Sequence, residues 1–496
     1  MIGRLVLRHL LLHPVRSLVF LGGYAAGVSV MLALLSIGEV MVEQSRDETW
    51  VGGGEITVLP SGVDLETLKT GGGVFFGIEG SRFIAREILG GPRLRESVEA
   101  VAPWLQDRAL YVRSRDMDAP VPVRATGLIP SGTTALNAAP DLLSGAWTDS
   151  EADRRWLRPT PYELYSAIDR FHQPPPRVRG DTTWAEWHYF NLLWPDETRW
   201  LYLSFILGGD LSGNRWGGIV LARYRLPDGR HISFADSLGA EAIEYSLEGP
   251  DLAFGPHTVR LLNDPARYRI RASLPAVGAG APLIVEIDVR PEPHRYFPPT
   301  ELAAADSFVS GYVAPALRAT ATGRVCVGRD CTPVDGTIAY HDHNWGTWGG
   351  VIWDWGVAHA GTFDVLYGGV HGPAEARRRG VRFLGYVVDS LGVAAVVQPR
   401  EMVYSGGRPL IFGGDTIEAP RSLRWAASEA ADSLAAQINL QRVALSRLTL
   451  GGEANALFAQ MQGKMRVSGR IGGWPIDESG PGFFETYVPR RANSSR

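Results

Sequence analysis

The residues best suited to chemistry lie close together at positions 340–346, which read YHDHNWG. Side chains on a β-strand point alternately to its two faces. One face of such a strand would carry His341, His343 and Trp345. The opposite face would carry Tyr340, Asp342 and Asn344. Three further tryptophans follow within a short distance, namely Trp348, Trp353 and Trp355.

A carboxylic acid beside aromatic rings suits carbocation chemistry. The acid protonates an alkene, the ring faces stabilise the cation, and water adds to it. Asp342 and Asp364 are the candidate proton donors, and Tyr367 lies close to the second of them. His343 would hold the acid's proton or orient the water. The catalytic candidates are therefore His343, Trp345, Asp342, Asp364 and Tyr367.

Two other interpretations of this group stay open. The residues would line a ligand pocket without doing chemistry, or they would serve packing and buried hydrogen bonds alone. A second aromatic group at 184–190, which reads WAEWHYF, would form either the wall of a lipophilic pocket or the floor of a barrel. The ligand-binding candidates from both groups are His341, Trp348, Trp353, Trp355, Trp187 and Tyr189.

Two histidines on one strand face resemble part of a zinc site, which needs at least three protein ligands. No third ligand follows at a standard spacing, and His359 and His371 are the nearest further candidates. The chain has only 2 cysteines, which excludes a zinc site built from cysteine alone. We therefore predict no metal and no cofactor.

The two cysteines, Cys326 and Cys331, flank the short segment 327–330. A hairpin loop of this length would place them opposite each other on paired strands, where a disulfide is geometrically feasible. A compartment outside the cytoplasm would permit that bond. The alternative is a pair of free thiols.

Short alternating apolar runs dominate the chain from Trp184 onward, and turn residues separate them. This pattern predicts antiparallel sheets closed into barrels or sandwiches. The segments 322–325 and 468–471 resemble each other, and a glycine follows each of them at the same interval. We therefore predict two similar β-barrels in tandem, at 184–339 and 340–490.

Residues 39–173 show a mixed pattern that predicts a small α/β domain, with strands at 55–59 and 109–113 and a helix at 81–89. A second helix should begin at Thr160, because Pro161 and Glu163 follow it as in a capping box. This helix should run to about Phe171, and the proline-rich segment 174–183 should act as a linker.

Residues 17–38 carry no charge and are numerous enough to span a bilayer. Arginines precede the stretch and acidic residues follow it, so the tail 1–16 should be cytoplasmic and the bulk of the chain periplasmic. We expect a single-pass anchor in the inner membrane. A cleavable signal peptide and a buried soluble helix are the alternatives.

The composition of the 496 residues excludes two classes of protein. Hydrophobic residues make up 45% and charged residues 21%, which excludes general disorder. The formal net charge is −4, from 49 basic and 53 acidic residues. A nucleic-acid binder needs a concentrated positive surface, so we expect no nucleic-acid partner.

The motif at 340–346, with the Trp-Asp-Trp of 353–355 behind it, resembles the lipocalin-like AttH and carotenoid 1,2-hydratase family. Residues 186–190 resemble that family's opening EWWYF motif, with His188 in place of one tryptophan. The resemblance covers about 180–490 and implies two consecutive lipocalin-like barrels. In the family's hydratases a His-x-Trp pair, here His343 and Trp345, acts with a later Tyr-x-Asp pair. Tyr367 lies near the expected place, but glycines follow it, and this favours binding over hydration.

The first part of the chain, about 1–150, resembles the first helix and outer domain of MacB-type and FtsX-type ABC exporter permeases. That resemblance implies an ABC permease and ATPase as partners. The leading prediction is therefore a membrane-anchored protein that binds a lipophilic molecule and works with an ABC exporter. The alternatives are a hydratase or cyclase acting on an isoprenoid-like alkene, and a structural assembly subunit. An enzyme requires a carboxylate inside the aromatic cavity, whereas a binder does not.

Overall fold

The alternating apolar runs form antiparallel β-sheet throughout the part of the chain that the computed structural model describes. The described residues are 12, 14–19, 22–31, 91–94, 96–102, 104–112, 121–129, 149–151, 159–213, 215–303, 309–371, 384–399, 401–429, 432–447 and 456–489. The chain divides into two units, one formed by 1–77 and 100–153 and the other by 78–99 and 154–496. The predicted fold class, mainly β with antiparallel barrels after an N-terminal apolar helix, is confirmed.

The first unit contains an apolar helix and a small sheet. Helix α1, Pro14–Met31, is long and apolar enough to cross a membrane, a property that it shares with secretion signals. Strands β1 (Trp104–Val112) and β2 (Val121–Leu128) form an antiparallel pair. Strand β1 covers most of the strand predicted at 109–113. The strand predicted at 55–59 and the helix predicted at 81–89 lie outside the described residues.

The second unit contains two sheets, and the first of them has 13 strands. Its strands are β3 (Trp184–Leu193), β4 (Trp200–Asp210), β5 (Arg215–Arg225), β6 (His231–Gly239), β7 (Ile243–Tyr245), β8 (Leu252–Phe254), β9 (His257–Leu262), β10 (Arg267–Leu274), β11 (Leu283–Pro291), β12 (Phe297–Ala303), β13 (Val309–Val327), β14 (Asp330–Pro333) and β15 (Ile338–Thr347). Their main order is β6-β5-β4-β3-β15-β13-β11-β10-β9-β8-β7, and β12 and β14 pair with β13. A bridge between Phe234 on β6 and Ala276, just beyond β10, nearly closes this sheet into a barrel.

The second sheet has 9 strands. They are β16 (Ile352–Ala360), β17 (Phe363–His371), β18 (Leu384–Asp389), β19 (Gly392–Val397), β20 (Val403–Phe412), β21 (Asp415–Glu429), β22 (Asp432–Ser446), β23 (Ala456–Ile471) and β24 (Trp474–Pro489). Their order is β19-β18-β17-β16-β24-β23-β22-β21-β20, and this sheet encloses an apolar core of its own.

The two sheets follow the same plan, because the first strand of each pairs with its last strand. Strand β3 pairs with β15, and β16 pairs with β24. The repeated segments occupy equivalent strands, β13 and β23, and each carries a glycine with positive φ, Gly323 at 113° and Gly469 at 144°. A Cβ on either glycine would lie about 2 Å from a carbonyl oxygen of the neighbouring strand, 2.2 Å from Glu286 and 1.9 Å from Ser433. Close strand approach therefore explains why both repeats contain glycine.

The change from one sheet to the other falls later in the chain than position 340, where the sequence analysis placed it. Strand β15 is hydrogen-bonded on both sides within the first sheet, to β3 and to β13. The second sheet begins only at Ile352. The aromatic motif at 340–346 thus closes the first sheet, and the chain crosses to the second sheet immediately afterwards.

Helix α2, Pro161–Ile168, has the predicted start. The Thr160 hydroxyl accepts from the Glu163 backbone N–H at 3.2 Å, and the Thr160 backbone N–H donates to the Glu163 carboxylate at 2.9 Å. Its buried residues, Leu164, Tyr165 and Ile168, pack into the core of the first sheet. The helix therefore belongs with the barrel, and its predicted place in the upstream domain, 39–173, is wrong. A short 3₁₀-helix, Pro176–Val178, lies within the predicted linker, and another, Ala240–Ala242, precedes β7.

The hairpin of β13 and β14 places Cys326 directly opposite Cys331. A disulfide joins the two residues. The described part of the chain contains no free cysteine.

Candidate functional site

Strand β15 separates two groups of polar side chains, because alternate residues face opposite sides of the first sheet. His341 and His343 face the interior of that sheet and are fully buried. Asp342 and Asn344 line a cleft between the first and second sheets. The alternation predicted from the sequence therefore holds, and it places Asp342 and His343 on opposite sides of one strand.

The cleft is lined mainly by aromatic side chains from both sheets. Its cavity measures about 50 Å³, room for a few water molecules or for one end of a larger molecule. Of its lining residues, Trp187, Tyr202 and Ile206 are only partly buried. The aromatic residues of the wall are Trp187, Tyr189, Tyr202, Tyr312, Trp348, Trp353, Trp355 and Phe458.

The tryptophans of this wall contact one another. The ring centroids of Trp348 lie 4.5 Å from Trp187 and 5.4 Å from Trp353. Backbone and side-chain acceptors fix two of the indoles: Trp348 Nε1 donates to the Ala185 carbonyl at 3.0 Å, and Trp355 Nε1 donates to the Tyr340 hydroxyl at 2.9 Å. The wall is therefore a connected and oriented set of rings.

Asp342 is a buried carboxyl on the wall of this cleft. The Tyr340 hydroxyl donates to its Oδ2 at 2.7 Å, and Asn344 Nδ2 donates to its Oδ1 at 2.8 Å. Burial raises the pKa of Asp342 well above its ordinary value, and the negative charge of Glu485 raises it further, whereas the two hydrogen bonds lower it. Burial therefore favours the protonated form of Asp342, which can donate a proton into the cleft.

Glu485, on β24 of the second sheet, is the other carboxyl of the cleft. Trp353 Nε1 donates to its Oε2 at 3.3 Å. Burial raises the pKa of Glu485 to about 7, although the hydrogen bond from Trp353 lowers it. Glu485 is thus divided between its charged and neutral forms near neutral pH, so it can accept a proton.

A buried acid, a second carboxyl that is partly ionised near neutral pH and a wall of rings together suit acid-catalysed chemistry on an apolar substrate. The first carboxyl can serve as general acid and the second as general base. Aromatic ring faces stabilise a nearby cation. The cleft can therefore protonate an alkene, hold the cation and remove a proton from the adding group.

Most of the predicted ligand-binding residues line this cleft, and so does one of the predicted acids. They are Trp187, Tyr189, Trp348, Trp353, Trp355 and Asp342. His341, which the sequence analysis placed with them, lies on the opposite face of β15. Its Nδ1 is 3.0 Å from the Tyr189 carbonyl oxygen, and its Nε2 is 2.9 Å from Asp169 Oδ2.

The predicted catalytic pair His343 and Trp345 lies away from the cleft as well. His343 sits between two carboxylates, with Nδ1 2.9 Å from Asp169 Oδ1 and Nε2 2.9 Å from Glu186 Oε1. These carboxylates raise its pKa to about 9, although burial lowers it. Trp345 stacks on His172 with ring centroids 3.9 Å apart. Neither side chain is placed to touch a substrate in the cleft.

Asp364, the other predicted proton donor, is held in a buried ion cluster. Its carboxylate accepts hydrogen bonds from Arg295 Nη1 and, at 2.8 Å, from Arg318 Nε. It also pairs with His359 Nδ1 at 2.7 Å. Burial raises the pKa of Asp364, but His359 and the two arginines hold it below its ordinary value. A carboxylate fixed in this way is a poor acid, and it does not line the cleft.

Tyr367 lies inside the second sheet, where its ring stacks on Phe484 with centroids 6.2 Å apart. Burial raises the pKa of its hydroxyl well above the ordinary value. The partnership with the His-x-Trp pair that the family resemblance implies is not formed, because His343 faces the interior of the first sheet and Tyr367 lies in the core of the second.

Glu485 was missed by the sequence analysis. Glu485 follows the glycine of the second repeat just as the start of the chemical motif follows the glycine of the first, and this was the available signal. Asp169 was also missed: it is the C-terminal cap of α2, and its carboxylate reaches residues that lie 172 and 174 positions away. No local spacing connects such residues.

No family model and no curated protein matches the chain. Among solved structures, the chain is similar to an AttH-type protein of Nitrosomonas europaea, with 15% identity and a TM-score of 0.43, over 64% of this chain and 97% of that one. It is similar to CghA in complex with Sch210972, with 12% identity and a TM-score of 0.41, over 67% and 96% of the two chains. It is also similar to kievitone hydratase from Nectria haematococca, with 11% identity and a TM-score of 0.41, over 66% and 98%.

Proposed function

We propose that the cleft catalyses the acid-dependent addition of water to an apolar alkene, or the cyclisation of such an alkene. The observation that carries this proposal is the presence of two buried carboxyls with raised pKa values, Asp342 and Glu485, in an aromatic cavity. A carboxylate in the cavity is the feature that separates an enzyme from a passive binder. It therefore favours catalysis over the lipophilic binder that is the leading prediction from the sequence.

The proposed reaction begins when Asp342 donates its proton to one carbon of the alkene and leaves a cation on the other. The tryptophan rings stabilise this cation. In hydration, a water molecule forms the new C–O bond while Glu485 takes the proton of that water. In cyclisation, a second alkene of the substrate forms the new C–C bond, and Glu485 removes a proton from the resulting cation. Transfer of a proton from Glu485 to Asp342 through water restores the starting state.

The substrate should be a long apolar molecule that enters by one end. A cavity of about 50 Å³ cannot enclose an isoprenoid-sized molecule. The partly exposed side chains of Trp187, Tyr202 and Ile206 would contact the part that remains outside. Anchoring by helix α1 would keep the chain at a membrane that supplies such substrates. The exporter partnership inferred from 1–150 stays a prediction, since most of those residues lie outside the described part.

The decisive experiment offers isoprenoid alkenes in deuterated, ¹⁸O-labelled water and follows both labels by mass spectrometry. Hydration places deuterium on carbon and ¹⁸O in a new hydroxyl, whereas cyclisation incorporates deuterium alone. Asp342→Asn and Glu485→Gln should each reduce turnover by about 10²–10⁴, the usual contribution of general acid or base catalysis. Asp354→Asn is the control, because Asp354 accepts from Tyr404 and Thr486 and does not line the cleft.

The opposing result is a wild-type protein that retains an unlabelled lipophilic molecule and incorporates no label into any alkene. That result would contradict the proposal and support ligand binding without catalysis. Full activity of Asp342→Asn would also contradict it.

A further inference from the structure

The interior of the first sheet holds a buried group of histidines and carboxylates that the proposed reaction does not use. Asp169, His188 and His341 each offer a ligand atom, and these atoms lie within 4.8 Å of one another. All three side chains are fully buried. They reach this point from three elements: the end of α2, strand β3 and strand β15.

His188 is the unusual member of the group. Neither of its ring nitrogens has a hydrogen-bond partner. Its ring is held by stacking alone, 4.8 Å from Phe171 and 5.1 Å from His341 between centroids. Burying polar atoms without partners costs free energy, so a histidine here needs another explanation. A nitrogen lone pair that no proton donor uses is suited to a metal ion.

His341 is oriented as a metal ligand usually is. Its Nδ1 lies 3.0 Å from the Tyr189 carbonyl oxygen, which can only accept a hydrogen bond, so Nδ1 carries a proton. Its Nε2 lies 2.9 Å from Asp169 Oδ2, and a metal ion bound by both atoms would replace the proton of that hydrogen bond. Metal-ligating histidines commonly donate from their other nitrogen to a backbone carbonyl, because this fixes the tautomer and the ring.

In a neighbouring group, His172, Glu186 and His343, the candidate ligand atoms also lie within 4.8 Å of one another. Unlike the first group, it has no side chain comparable to His188, because Glu186 Oε1 lies 2.8 Å from His172 Nδ1 and 2.9 Å from His343 Nε2. This second group instead supports the first, because His343 Nδ1 lies 2.9 Å from the Asp169 oxygen that does not face His341.

We propose that Asp169, His188 and His341 bind a divalent transition-metal ion of the zinc class. Two imidazoles and one carboxylate suit Zn²⁺ and its first-row neighbours, whereas Mg²⁺ and Ca²⁺ prefer oxygen ligands alone. Ligand atoms around a tetrahedral zinc lie about 3.4 Å apart, given bonds of about 2.1 Å. Reaching this spacing requires Asp169 and His341 to separate from 2.9 Å and the His188 ring, which no hydrogen bond holds, to shift. The bound ion would fix the inner face of β15, whose other face carries Asp342.

Because the three ligands are fully buried, the ion should enter during folding and exchange slowly afterwards. The test is therefore refolding of the whole protein from guanidinium, either with Zn²⁺ or with a chelator. The zinc content is measured by elemental mass spectrometry after exhaustive dialysis. We expect one zinc ion per chain after refolding with Zn²⁺, and a melting temperature several degrees below that of the zinc-loaded form after refolding with the chelator.

His188→Phe separates a metal site from a packed core. Phenylalanine keeps the ring and its stacking but removes both nitrogens. The variant should lose the zinc, and its melting temperature should no longer depend on zinc. A purely structural role predicts the opposite pattern: the variant would be as stable as the wild type or more so, with unchanged metal content. His231→Ala, an exposed histidine on β6, is the control and should retain one zinc ion per chain.

Refolding with Co²⁺ gives a measurement that needs no variant. Cobalt bound in a tetrahedral site of nitrogen and oxygen ligands should absorb visible light much more strongly than free Co²⁺ does. Wild-type protein without bound zinc and without this absorption would overturn the proposal, and so would a folded His188→Phe variant that keeps its zinc.

Discussion

The Tyr340 hydroxyl donates a 2.7 Å hydrogen bond to Oδ2 of Asp342, two positions further along the same strand. Trp355, from the second sheet, donates to that hydroxyl at 2.9 Å. A hydrogen bond to a carboxylate stabilises its ionised form, whereas burial stabilises the neutral form. The two sheets together therefore set the acidity of Asp342, and neither would do so alone.

Replacing Tyr340 with Phe should raise the pKa of Asp342 further, because it removes a donor that stabilises the ionised carboxyl. The wild-type rate should rise with pH through about 7 as Glu485 ionises, and fall again above the pKa of Asp342. In Tyr340→Phe the fall in rate at high pH should begin at a higher pH, and the maximal rate should be lower because Asp342 is a weaker acid. A pH profile of kcat/KM measures both effects. Tyr224→Phe, on β5 and outside the cleft, should reproduce the wild-type profile.

Replacing Glu485 with Gln should change how stability depends on pH. The pKa of Glu485 is about 7 in the folded protein against 4.5 ordinarily, so the folded state binds the proton more tightly. This contribution to stability is fully present below about 4.5 and is lost as the pH rises through about 7. The loss amounts to about 3 kcal/mol at most. Urea unfolding between pH 4 and pH 8 should show that loss in the wild type and in the exposed control Glu418→Gln, but not in Glu485→Gln.

Asp364→Asn should destabilise the protein without changing the chemistry of the cleft. Removing one partner of a buried ion pair leaves the other charge uncompensated, at a cost of about 3–5 kcal/mol. Here the partners left behind are Arg295 and Arg318. Asp389→Asn breaks a partly exposed pair with Arg93 and should cost about 1 kcal/mol or less. Unfolding in urea gives both values, and a loss of activity per folded molecule in Asp364→Asn would return this residue to the catalytic candidates.

The disulfide between Cys326 and Cys331 should contribute modestly to stability. Closing so short a loop restricts the unfolded chain little, and the expected contribution is about 2 kcal/mol. A non-reducing peptide map of protein from its native compartment should show the two residues joined. The double variant Cys326→Ser and Cys331→Ser should unfold at lower urea concentration with the same cleft chemistry. Free thiols in the native protein would contradict this prediction.

The N-terminal apolar stretch should stay attached to the mature protein. Residues 17–38 form an uncharged stretch longer than the apolar core of most signal peptides. Protein extracted from membranes with detergent should keep an N-terminus upstream of that stretch, as N-terminal sequencing would show. A mature chain that starts at residue 39 or later would reject the anchor.

Much of the fold and part of the site could be predicted from sequence because strand alternation is a local property. The two faces of 340–346, the shared side of Trp187 and Tyr189, the capping box at Thr160 and the hairpin of Cys326 and Cys331 all depend on residues a few positions apart. Backbone geometry alone decides which of them face the same way. The repeated glycines likewise indicate equivalent strands, because close strand approach requires glycine at the same place in each repeat.

The acid–base pair itself was decided by tertiary structure. Asp342 and Asp364 look alike in sequence, but the cleft buries Asp342 beside Glu485, whereas Arg295 and Arg318 neutralise Asp364. Desolvation and charge depend on which distant strands pack together, and the sequence pattern around a carboxyl does not contain that information. For the same reason, only the folded chain brings Asp169 to His341 across 172 positions of sequence.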